Sequence, residues 1–112
     1  MAIGKSITVT IASGATESGV IGLGELTLVG IYTPSTFDGA SMTINVCETR
    51  AGTYVPLTDP DTGASVSIVA AASKYYAIDP ALTLGPKFAT LVAGTAQSST
   101  DTVLTVVLKP FN

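Results

Sequence analysis

Apolar residues recur at every second position along most of this chain, and almost nowhere at helical spacing. Such alternation puts successive side chains on opposite faces of a strand. Residues 6–11 set Ile7, Val9 and Ile11 on one side and Thr8 and Thr10 on the other. Residues 25–32 predict a second strand with Leu26 and Leu28 on one face, and residues 41–48 a third that groups Met42, Ile44 and Val46. A short strand at 54–57 follows, then one at 65–70 with Val66, Ile68 and Ala70 opposed to Ser65, Ser67 and Val69. Strands at 74–78, 87–92 and 102–109 complete the set. The run 103–108 is apolar at nearly every position. It is expected inside a sheet or paired across a subunit contact, since a bare edge of that kind would aggregate.

Turn chemistry separates these strands. Pro34 and Asp38-Gly39 punctuate residues 33–39, Asp59-Pro60-Asp61-Thr62-Gly63 forms a tight connection, and Asp79-Pro80 forbids simple continuation of the strand before it. Residues 79–84 have room for one helical turn only. The glycine-rich lead-in, 14–24, reads either as an arm that orders on docking or as a loop with one short strand at 20–23. About eight strands at turn-marked intervals of about 8–12 residues predict an all-β fold. The expectation is a single antiparallel β-sandwich over residues 1–112, with 1–24 as a candidate, partly extended N-terminal arm.

Composition narrows the function. A chain of 112 residues suits one domain, and 46% hydrophobic residues supply one sizeable core. Charged residues are only 12%, against a typical ~25%, and Ser and Thr fill their place at roughly a quarter of the chain. Mean hydropathy is +0.52, high for a soluble protein; a membrane or a protein partner would account for it, and a sparsely charged monomer is the remaining alternative. The membrane is disfavoured because no apolar stretch approaches the ~20 residues of a spanning helix. The first fourteen residues alternate, unlike a secretory signal, and the initiator Met before them reads as cytosolic synthesis. A net charge of −3 with five scattered basic residues (Lys5, Arg50, Lys74, Lys87, Lys109) argues against nucleic acid.

Candidate chemistry is sparse. Histidine is absent and Cys47 is the lone cysteine, so Ser-His-Asp catalysis, most zinc sites and an intramolecular disulfide all lack their residues. Cys47, on the strand face opposite Met42 and Ile44, reads as a small packing residue. Asp61-Thr62-Gly63 resembles the catalytic loop of aspartic proteases, but it follows Asp59-Pro60 instead of a buried apolar strand. The following Leu82-Thr83-Leu84-Gly85 also comes too soon to leave room for a flap. A turn is the preferred reading. Asp59 and Asp61, with Glu48 nearby in sequence, supply too few oxygens for calcium. Gly22-Leu23-Gly24 leads into a strand and builds no phosphate cradle. Tyr32, Tyr54, Tyr75, Tyr76, Phe37, Phe88 and Phe111 leave a sugar-binding surface open. Tyr75 and Tyr76 must point to opposite faces, one toward the core. No catalytic, cofactor or metal residue is assigned, and a non-enzyme is expected.

From Leu28 onward, several pieces occur in a telling order. Ile31-Tyr32-Thr33-Pro34 is followed by Phe37-Asp38-Gly39-Ala40-Ser41-Met42-Thr43-Ile44 and by Gly52-Thr53-Tyr54-Val55-Pro56-Leu57. Then come Tyr76-Ala77-Ile78-Asp79-Pro80, Gly85-Pro86-Lys87-Phe88, Val92-Ala93-Gly94-Thr95 and a last strand ending Leu108-Lys109-Pro110. Over about three quarters of the chain this order resembles the small tailed-phage virion proteins of the jelly-roll capsid decoration, or cement, type, though each piece is only apolar alternation plus turn residues. The resemblance implies a virion location on the capsid surface, the major capsid protein as partner, and a homodimer or homotrimer. It implies no active-site residue. Neck and tail roles share the pattern, and a carbohydrate- or receptor-binding module on a phage particle is the alternative. Scarce charge suits the centre of a protein interface.

Overall fold

The computed structural model describes residues 4–24, 26–38, 40–83, 85–97 and 101–110. Glu25, Gly39, Leu84 and Phe111, which figure in the sequence patterns, lie outside the described residues. The elements are β1 (Lys5–Ile11), β2 (Ile21–Gly22), β3 (Leu26–Tyr32), β4 (Ala40–Cys47), β5 (Val55–Pro56), β6 (Ser67–Ala70), β7 (Tyr75–Ala77), α1 (Pro80–Thr83), β8 (Phe88–Ala93) and β9 (Thr102–Pro110). One sheet has the order β1-β9-β3-β7; the other runs β2-β8-β4-β5, with β6 also paired to β4. All pairings are antiparallel.

The pairing has a simple logic. β1 pairs with β9, β2 with β8, β3 with β7 and β4 with β6. The chain is therefore one long antiparallel ribbon, folded back on itself near β5 and then rolled. Rolling brings β9 beside β3 and β8 beside β4, which closes the two sheets. This is the jelly-roll form of the β-sandwich. Nine strands are present among the described residues; the ninth is β2, in the segment 14–24, where the reading of that segment as a loop with one short strand places it.

The core lies between the sheets. Val9, Ile11, Leu28, Ile31, Leu104, Val106 and Leu108 face inward from one; Met42, Ile44, Ala70, Ala89, Leu91 and Ala93 face them from the other. Each large aliphatic side chain so buried is worth about 1.5–3 kcal/mol relative to exposure. β9 occupies an inner position of its sheet, as its apolar run requires, with Thr102, Leu104, Val106 and Leu108 buried. Its other face stays uncovered, and Val103 is half exposed there.

In β3 the strict alternation breaks. Leu28 pairs with Leu108, but Gly30 pairs with Val107, so Val29 is an extra residue in a bulge. The bulge reverses the phase of the strand, and Leu28 and Ile31, three apart, both reach the core. α1 then packs on β3, where the buried Thr83 hydroxyl donates to the Leu28 carbonyl at 2.7 Å. Asp79 caps that turn through Oδ1, which accepts the Ala81 N–H at 3.0 Å, and Pro80 stands at the first helical position.

The glycine-rich segment 14–24 lies along the sandwich. The Ser18 N–H donates to the Leu91 carbonyl, the Ser18 hydroxyl accepts the Leu91 N–H, and Ile21 and Leu23 are buried.

Candidate interaction surface

Register fixes what the outer face of the β1-β9-β3-β7 sheet presents. One row across it is Thr8, Thr105, Tyr32, Tyr75, and the next is Ser6, Val107, Gly30, Ala77. Thr10 and Val103 make a third, shorter row. None of these positions carries a charge; the next outward residue of β9, the exposed Lys109, does. Tyr32 and Tyr75 are directly opposed on neighbouring strands, 50% and 46% exposed, with ring centroids 4.5 Å apart and planes tilted by 45°. The pair can form only because residue 30 is a glycine. A Cβ there would overlap the Tyr75 ring, which lies across the Gly30 backbone.

The other sheet presents a different outer surface. Glu17 crosses it, accepting the Thr90 hydroxyl at 2.7 Å and pairing with Val92. Arg50 stands over the Phe88 ring at 5.2 Å from its centroid, a cation–π arrangement. Val69 is 88% exposed at the far side, on β6. Charge and chain thus cover part of this face, whereas the tyrosine-bearing rows are open and uncharged, with Lys109 at one end of the face.

No protein-family model matches the chain, and no curated protein or solved structure matches it significantly.

The residues singled out for chemistry are placed as follows. Asp59 builds the turn 59–63: its Oδ1 accepts the Asp61 N–H at 2.9 Å and its carbonyl accepts the Gly63 N–H at 2.8 Å. Gly63 has φ of 74°, the left-handed region that favours glycine, and the Thr62 hydroxyl accepts the Ala64 N–H. The Asp-Thr-Gly tripeptide is therefore held in hairpin geometry, with Asp61 exposed. Among the described residues no group of three His, Cys, Asp or Glu is placed to hold a metal ion. Cys47 is half-buried, and Gly52 packs over it so closely that a Cβ would come within 2.6 Å of its Sγ. No helix among the described residues is long and apolar enough to cross a membrane.

Of the aromatic residues, Phe37 is in the core, Tyr54 is half-buried and bonded through its hydroxyl to the Arg50 carbonyl, and Phe88 is half-buried beneath Arg50. Tyr76 packs inward, and its hydroxyl accepts the Ala71 N–H at 2.7 Å. Tyr75 points outward, so the two neighbours divide between the faces as strand geometry demands. Two features escape the sequence pattern. One is the partnership of Tyr75 with Tyr32, which depends on β3 and β7 being neighbours. The other is Gln97, fully buried, whose Oε1 accepts both the Asp38 N–H and the Thr102 hydroxyl, at 3.0 and 2.8 Å.

Proposed function

We propose that this protein is a viral structural protein, a capsid decoration (cement) protein that binds and stabilises the major capsid shell, acting as a homo-oligomer on the particle surface. The observation that carries the reading is the sparsely charged outer face of the β1-β9-β3-β7 sheet, with Lys109 at one end and Tyr32 and Tyr75 exposed beside Val103 and Val107. Interface cores are depleted in Lys, Glu and Asp and enriched in tyrosine, which is this face's character. Its rigidity comes from the sheet beneath, so docking requires little ordering and loses little entropy. The jelly-roll topology and the order of strand and turn pieces that resembles phage decoration proteins support the virion setting.

Density-gradient fractionation of particles, with copies of this chain counted, tests the proposal. Hundreds of copies per particle, lost before the shell breaks, are expected, as is weakened retention by Tyr32→Ser with Tyr75→Ser in a stably folded protein. A handful of copies would move the role to the neck or tail, and absence from particles would overturn it. The exposed tyrosine pair also favours a second reading, a carbohydrate- or receptor-binding module on a phage particle. Saturable retention of a specific glycan, lost in the same double variant, would select that reading.

A further inference from the structure

Sheet edges are sites where another chain can add, and proteins blunt them by shortness, proline, charge or cover. Four of the edges here are short: β6, paired only to β4, has four residues, β7 three, β2 two, and β5 two, including Pro56. β1 is different. Its seven residues pair with β9 on one side only, and just its far end is covered, where Ile11 bridges Ser18 and the Gly19 N–H reaches the Thr10 carbonyl at 3.2 Å. That carbonyl therefore faces away from β9. Backbone direction alternates along a strand, so the N–H and C=O of Thr8 and Ser6 face outward along the same edge. Among the described residues no strand covers them.

We propose that β1 pairs antiparallel with β1 of a second copy across a two-fold axis, joining two four-stranded sheets into one of eight strands. A two-fold axis beside Ile7 puts Ser6 opposite Thr8 of the second copy, and Thr8 opposite its Ser6. Each such pair exchanges two backbone hydrogen bonds, so four close. The two Ile7 side chains, half-buried against the core, meet across the axis and extend the apolar interior. On the outer face Ser and Thr hydroxyls oppose one another, a favourable cross-strand pairing. Lys5 of each copy lies opposite Val9 of the other, leaving the two Lys5 positions about 14 Å apart along the strands, too far for serious repulsion. A second copy is the fitting occupant because this register matches the strand to itself, and because pairing uses up the long edge of both copies. The assembly then closes at two instead of growing into fibres. The inference deepens the homo-oligomeric part of the proposed function and rests on that part alone, so failure to bind a shell would leave it standing.

Sedimentation of the purified protein across a concentration series is the test, with Thr8→Pro alongside. The Thr8 N–H faces away from β9, so proline removes no bond within the sheet and is tolerated at such an edge. The expected result is a wild-type dimer and a folded Thr8→Pro variant whose association is weaker by at least roughly 30-fold. A wild-type monomer, a trimer, or a Thr8→Pro dimer of unchanged affinity would overturn the proposal. If Thr8→Pro does not fold, amide exchange of the wild type decides. Ser6 and Thr8 amides slowed at dimer concentrations and fast on dilution support the pairing, and fast exchange at both overturns it.

Discussion

Replacing Gln97 by methionine removes a polar tie at one end of the sandwich while keeping most of its volume. The side chain is fully buried and binds three segments: Oε1 accepts the Asp38 N–H at 3.0 Å and the Thr102 hydroxyl at 2.8 Å, and Nε2 donates to the Thr95 carbonyl at 3.1 Å. The main-chain bonds of residue 97 to Gly14 and Ala15 survive the change. Three bonds at a net ~1 kcal/mol each, plus ~1–3 kcal/mol for a buried Thr102 hydroxyl without its acceptor, amount to about 4–6 kcal/mol. That is a large share of the ~5–15 kcal/mol that holds a domain folded, and equals a drop of roughly 16–24 °C in Tm. Thr102→Val alone removes one bond and should cost about 1–1.5 kcal/mol. In the double variant no hydroxyl is orphaned, so the two costs should fall short of additivity by about 1–2 kcal/mol. Urea denaturation of the four proteins, with unchanged m-values, measures each term. Additivity within about 0.5 kcal/mol would refute the shared buried bond. So would a Gln97→Met cost below about 1 kcal/mol.

Four other single substitutions probe the fold and its turns. Gly30→Ala should cost about 1–3 kcal/mol, because the new methyl displaces the Tyr75 ring; adding Tyr75→Ala should recover most of that loss in thermal denaturation. Leu104→Ala, near the start of β9 and fully buried, should destabilise by about 2–5 kcal/mol in urea titrations. Asp61→Asn should leave stability within about 0.5 kcal/mol, whereas Asp59→Ala, which loses the bond to the Asp61 N–H, should cost about 1 kcal/mol by the same assay.

Much of this fold was legible because its strands are half-buried and obey the two-residue period. β1, β6 and β9 follow their alternation, and Asp59-Pro60 and Asp79-Pro80 mark connections through backbone preferences that any context would respect. β3 was legible only up to Leu28, since a bulge inserts a residue that no local pattern announces. Strand order was a matter for resemblance: alternation says which face a residue takes, not which strand lies beside it. The same limit hid the candidate surface. Tyr32 and Tyr75 are 43 positions apart in sequence, and nothing near either one encodes the other. Gln97 was silent for a related reason, as its three partners arrive from the β3–β4 and β8–β9 connections and from β9 itself.

The rolled ribbon also dictates an order of assembly. Contacts at its folded end, between β4 and β6, span few residues, while Lys5 must find Leu108 across nearly the whole chain. Closing that largest loop is entropically the most costly step and is best taken last, after the nearer pairs have drawn the ends together. Of these strands β9 is also the last to be synthesised, yet both β1 and β3 depend on it for their pairing. During translation, then, the half of the sandwich that carries the tyrosines must wait, its apolar inner face exposed, until β9 arrives. Folding is expected to be slow and vulnerable to aggregation at that stage, and then to finish abruptly, as a single strand completes one sheet and seals the core.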